Sequence, residues 1–86
     1  MKNKIEYEIR MVDAWADGDS WVYNNSYSYG TYRTGAKDGK RAFLNALHRA
    51  GFFFQRGVWR VEFDGDVYEL VHRSDGKPVF SAIPTA

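Results

Sequence analysis

The chain contains no cysteine, so no disulfide can staple the fold and no thiolate can attack a substrate or hold a soft metal. It has two histidines, His48 and His72, and neither stands in a spacing that would build a catalytic triad or a metal-binding helix. Long apolar runs are missing as well. Nothing approaches the roughly 18 residues that a membrane-spanning helix requires, and the opening MKNKIEYEIR carries its lysines with no apolar segment behind them. A cytoplasmic protein without a membrane partner is the expectation, and the Asn24-Asn25-Ser26 sequon reads as a chance match. No large excess of one charge is present: the net charge is +1 with 27% charged residues, a mixed surface rather than that of a dedicated nucleic-acid binder.

The acidic and glycine patterns add no catalytic signature. Asp13, Asp17 and Asp19 gather around one turn but lack the further oxygen ligands and closing Glu of a calcium loop, and Asp64 and Asp66 flank a turn glycine. Gly35 and Gly39 lie around a helix start without the spacing or Lys-Ser/Thr ending of a phosphate loop. A non-enzymatic protein with no metal and no cofactor is expected. At 86 residues it forms a single domain, 1–86, whose small core gives modest stability. Against that small core, aromatic residues make up 17% of the chain, more than its interior needs, so some are expected on the surface.

The hydropathy pattern divides the chain around one segment. Residues 5–15 alternate, with Ile5, Tyr7, Ile9 and Met11 on one side and Glu6, Glu8 and Arg10 on the other, the period of a half-buried strand. Asp17-Gly18 turns the chain into a second strand over 21–32, whose row Trp21, Tyr23, Asn25, Tyr27 and Tyr29 is expected beside Ile9 and Met11. Thr34 to Phe54 alone has helical periodicity. Ala36, Phe43, Ala46, Leu47 and Ala50 share a face, Thr34 or Asp38 can cap the start, and Gly51 at C′ predicts contact between Phe52 and Leu47. Strands over 58–63 and 67–73 flank Asp64-Gly65, a type I′ signal that pairs Val61 with Tyr68, Trp59 with Leu70 and Arg60 with Glu69. Asp75-Gly76 leads to a last strand over 78–83, with Pro78 at its start or at a sheet edge. The class is α+β: a single antiparallel sheet, ββαβββ, with one helix packed across one face.

Two surfaces are candidates for binding. The segment WVYNNSYSYGTY mixes rigid aromatic rings with adaptable Ser and Asn, as antibody loops do, and makes Tyr27, Tyr29 and Tyr32 anchors for another protein. Such a long, nearly uncharged strand also suits a homodimer seam. The alternative is nucleic-acid binding through the basic side of the helix, Lys37, Lys40, Arg41, His48, Arg49 and Arg56. The ββαβββ layout resembles, at the level of architecture, small phage and mobile-element proteins that inhibit or regulate nucleic-acid enzymes, including some anti-CRISPR proteins. That resemblance implies a regulator or inhibitor acting on a nucleic-acid-handling enzyme.

Overall fold

The computed structural model describes residues 4–35 and 39–85. Five strands and one helix follow in the expected order: β1 Lys4–Asp17, β2 Ser20–Gly35, α1 Gly39–Arg49, β3 Trp59–Phe63, β4 Tyr68–His72 and β5 Pro78–Pro84. All neighbouring strands are antiparallel, in the spatial order β2-β1-β5-β4-β3. The last strand in the chain is thus the central one. Pro78 can stand there because it is the first residue of β5; of the two fully buried residues at the middle of β5, Ala82 lies in the cluster under the helix and Ser81 faces the other side of the sheet.

The helix presents Ala42, Phe43, Ala46 and Leu47 to Tyr7, Ile9, Leu70 and Ala82, and these eight form the buried cluster. Burying each large member contributes roughly 1.5–3 kcal/mol before chain entropy is subtracted. The exit from the helix follows the expected motif: Gly51 takes φ 98°, its amide donates to His48 O at 3.0 Å, and the Phe52 amide donates to Leu47 O at 3.0 Å. Two carbonyls of the last turn are satisfied and Phe52 is turned onto the core. At the other end, Thr34 is not a cap. It is the buried penultimate residue of β2, five residues before Gly39 opens the helix, and its hydroxyl donates to Ala42 O at 3.1 Å, tying strand to helix. Ala36, Lys37 and Asp38 lie outside the described residues.

Two expected registers change. Phe63 pairs with Tyr68, Val61 with Leu70 and Trp59 with His72, and Arg60 faces Val71 rather than Glu69. A type I′ turn needs positive φ at both central residues, whereas only Gly65 (φ 107°) has it here. The Asp64 carboxylate accepts the amides of Asp66 at 3.0 Å and Val67 at 2.9 Å, closing a longer loop around its own side chain. The shift is two residues, so Trp59, Val61 and Leu70 keep their common face.

The second change is in β2. Ile9 pairs with Gly30, Arg10 with Ser28, Met11 with Tyr27 and Val12 with Asn25, so Tyr29 and Ser26 are extra residues against a regular β1. The bulge at Ser26 reverses the side-chain alternation beyond it. Tyr27 stays beside Met11, but Trp21, Tyr23 and Asn25 pass to the face without the helix, where they oppose Ala16, Ala14 and Val12. The single aromatic row of the sequence is therefore divided between two faces. The bulged hairpin brings its tip across the second face of the sheet: Trp21 Nε1 donates to Asp75 O at 2.9 Å, Ser81 Oγ donates to Asn25 Oδ1, and Trp21 and Tyr23 line a hollow with Glu62, Glu69, Val71 and Pro78.

Candidate functional site

The C-terminal end of the helix meets an aromatic surface. A chain of near-perpendicular ring contacts runs across the sheet: Tyr27 to Tyr29 at 5.2 Å, Tyr29 to Phe80 at 5.4 Å, Phe80 to Phe52 at 5.3 Å, Phe52 to Trp59 at 5.3 Å and Trp59 to His72 at 5.0 Å. Each edge-to-face pair adds about 0.5–1.5 kcal/mol beyond area burial. The inner members pack on the core, while the outer end opens to solvent, with Tyr27 60% and Tyr29 41% exposed and Met11 exposed beside them. Between Tyr29 and the helix terminus lies a groove of about 210 Å³ lined by Ile9, Tyr29, Leu47, Ala50, Phe52 and Phe80. Since β2 is an edge strand, both side chains and unpaired main chain are presented here.

Tyr32 has a different position. It is half-buried against the core, and its hydroxyl donates to Tyr29 O at 3.1 Å, so it supports the bulge under Tyr29. Phe53, 71% exposed with its ring 5.3 Å from His48, extends the apolar surface around the helix end. Its position follows from Gly51: a chain turned so that Phe52 enters the core leaves Phe53 pointing out.

The N-terminal end of the helix meets a cleft of about 630 Å³ lined by Lys40, Arg41, Leu44, Phe54, Arg56, Arg60, Val61 and Arg73. Of the helix-side cations named from sequence, Lys40, Arg41 and Arg56 converge here. His48 and Arg49 do not: they line a separate shallow hollow with Thr34 and Asn45. Arg73 joins the cleft from the turn after β4, with Nε donating to Arg56 O at 2.6 Å and to Trp59 O at 3.0 Å. Arg60 reaches the cleft by its place on edge strand β3, but its guanidinium is held elsewhere. Its Nε binds Glu62 at 2.8 Å, and Nη2 lies beside Gly76 near Trp21, on the other face of the sheet.

That other face holds a polar seam. Arg10 and Glu69 flank Ser81 on neighbouring strands. Arg10 Nη2 donates to Glu8 at 3.2 Å; its Nε lies 3.1 Å from the same carboxylate, out of line for a hydrogen bond. The hydrogen bond from Arg10, assisted by Ser28, holds the Glu8 carboxyl below its ordinary range. Glu69 Oε2 is buried without a donor, and burial raises the Glu69 pKa. Burial and the neighbouring Tyr68 likewise raise that of Tyr7. His72 completes the turn after β4, its Nδ1 lying 2.7 Å from Ser74 Oγ and accepting the Ser74 amide at 3.3 Å. Among the described residues no cluster of three or more His, Asp or Glu could hold a metal ion, and no helix is long and apolar enough to cross a membrane.

Comparison with known proteins finds no family model, no curated protein and no solved structure that matches the chain.

Proposed function

We propose that this chain is a small non-enzymatic module that binds another protein, and that it acts as a regulator or inhibitor by occupying its partner. The observation that carries the reading is the exposure of Tyr27 and Tyr29 on an edge strand, beside an apolar groove and backed by a continuous series of packed rings. Rigid aromatic side chains lose little rotamer entropy on binding, and anchors of this type dominate interface energies. Edge pairing adds main-chain hydrogen bonds, and the groove receives an apolar side chain of the partner. The proposed setting is the cytoplasm. The architectural resemblance to phage and mobile-element regulators supports a nucleic-acid-handling enzyme as the class of target, and an edge strand equally admits a second copy of the chain.

Affinity capture from a nuclease-treated lysate tests the reading, with Tyr27→Ala/Tyr29→Ala as the comparison. The parent retains a protein partner and the double variant loses it, by roughly 30-fold or more in affinity for two central anchors. Equal retention by both proteins would exclude this surface. Sedimentation at rising protein concentration distinguishes a second copy from a foreign partner.

A further inference from the structure

We propose that the cleft at the helix N-terminus is a second, independent site, and that it takes the phosphate backbone of single-stranded nucleic acid. Four cationic side chains converge on it from three segments: Lys40 and Arg41 from the first turn of the helix, Arg56 from the loop after it, and Arg73 from the turn after β4. No described carboxylate lines it. In a chain of net charge +1 this is a local concentration of one sign, and clefts so lined focus potential onto an anionic ligand.

The helix end strengthens the case. Its first turn holds no acidic residue among those described, and it carries Lys40 and Arg41 where the helix dipole is already positive. Stability alone favours the opposite sign there, and a bound phosphate would satisfy both the dipole and the side chains. Arg73 is fixed by two carbonyl acceptors through Nε, which orients its guanidinium and leaves Nη1 and Nη2 outside those bonds. Val61 supplies main chain as well. Trp59 turns its amide away from β4 to Gln55 O at 2.9 Å, and strand alternation turns the Val61 amide to the same free edge.

The cleft's shape selects the form of nucleic acid. It is concave, with Leu44, Phe54 and Val61 as apolar lining between the cations. A single strand can lay its backbone along such a groove and rest a base on an aromatic ring, whereas the grooves of a duplex are read by projecting elements. A lipid surface would require a convex face with protruding apolar side chains.

Fluorescence anisotropy of a labelled 12-nucleotide oligothymidylate, titrated with the intact protein at 50 and 200 mM salt, tests the proposal. Four phosphate contacts at about 0.7 each give a log–log salt slope near −2.8, or about 50-fold weaker binding at the higher salt. Lys40→Glu/Arg56→Glu, neither of which removes a described side-chain hydrogen bond, should lose at least about tenfold in affinity at 50 mM salt with an unshifted melting transition or a raised one. Phe54→Leu keeps an apolar side chain at the position but removes the flat ring, and should cost about fivefold. Absence of binding at 50 mM salt, affinity unaffected by the charge reversals, or tighter binding to a duplex of equal length or to phosphatidylserine vesicles would overturn the proposal.

Discussion

The two ends of the helix end in opposite kinds of surface. At the C-terminal end every ring touches the next, from Tyr27 at the rim to Trp59 and His72 inside, so exposed aromatics are continuous with the core. At the N-terminal end the cleft cations are gathered by the fold against the helix dipole, and the carbonyl bonds of Arg73 fix one of them in place without neutralising it. The difference separates what each surface owes to stability. Substitutions in the aromatic surface become more destabilising toward the core, whereas removing the Lys40 and Arg56 charges from the cleft should leave stability unchanged or raise it.

The largest test removes what both ends share. Leu47 is fully buried between them, and Leu47→Ala should cost about 2–5 kcal/mol in denaturant unfolding. A change below 1 kcal/mol would contradict the helix-on-sheet core. Gly39→Ala comes next because its sign is diagnostic. Alanine ordinarily favours a helix by up to about 1 kcal/mol over glycine, but here the new Cβ would lie 2.5 Å from Tyr68 Oη. Tyr68 cannot readily yield, since its ring is stacked between Phe43 at 5.7 Å and Phe63 at 4.4 Å. Net destabilisation of about 1–3 kcal/mol is expected, and a raised melting temperature would refute that contact.

Smaller effects sharpen the contrast. Tyr27→Ala should cost about 1 kcal/mol of stability, the value of one exposed edge-to-face contact. Lys40→Glu should stabilise the fold by about 0.3–1 kcal/mol at low salt, and less at high salt, by reversing the charge beside the helix N-terminus. On the polar seam, the raised Glu69 pKa means that the folded state holds its proton more tightly than the unfolded chain does. Ionisation therefore removes stability as pH rises from the ordinary value of 4.5 through the raised one. Glu69→Gln should raise the melting temperature at pH 7, with the gain shrinking on acidification through that window. A gain that grows on acidification would refute the assignment.

Much of the fold was legible because periodicity and turn chemistry are local. Ile9, Phe43 and Leu47 declared their faces, and Gly51 with Phe52 declared the helix exit. The bulges at Tyr29 and Ser26 were hidden, since an extra residue in a strand leaves alternation intact on each side and merely shifts its phase. That shift is why Trp21 and Tyr23 lie on a different face from Tyr27. At Asp64 the sequence offered two local solutions, and the side-chain-closed loop replaced the tighter turn. Ala42 shows the same limit, because its burial depends on where β2 crosses the helix. Of the site residues, Tyr27 and Tyr29 were readable as surplus aromatics, while the support given by Tyr32 depends on the bulge. The cleft was only half legible. Lys40, Arg41 and Arg56 belong to the helix and the loop after it, whereas Arg73 joins them through the β3–β4 ladder, in which its amide donates to Val58 O at 2.8 Å.

That the two ends of the helix are separate binding surfaces can be tested by one titration. Oligothymidylate anisotropy at 50 mM salt would be measured for Tyr27→Ala/Tyr29→Ala beside Lys40→Glu/Arg56→Glu. The tyrosine variant should bind within twofold of the parent while the charge variant loses at least about tenfold. A tenfold loss from the tyrosine pair with the charge pair unchanged would contradict it.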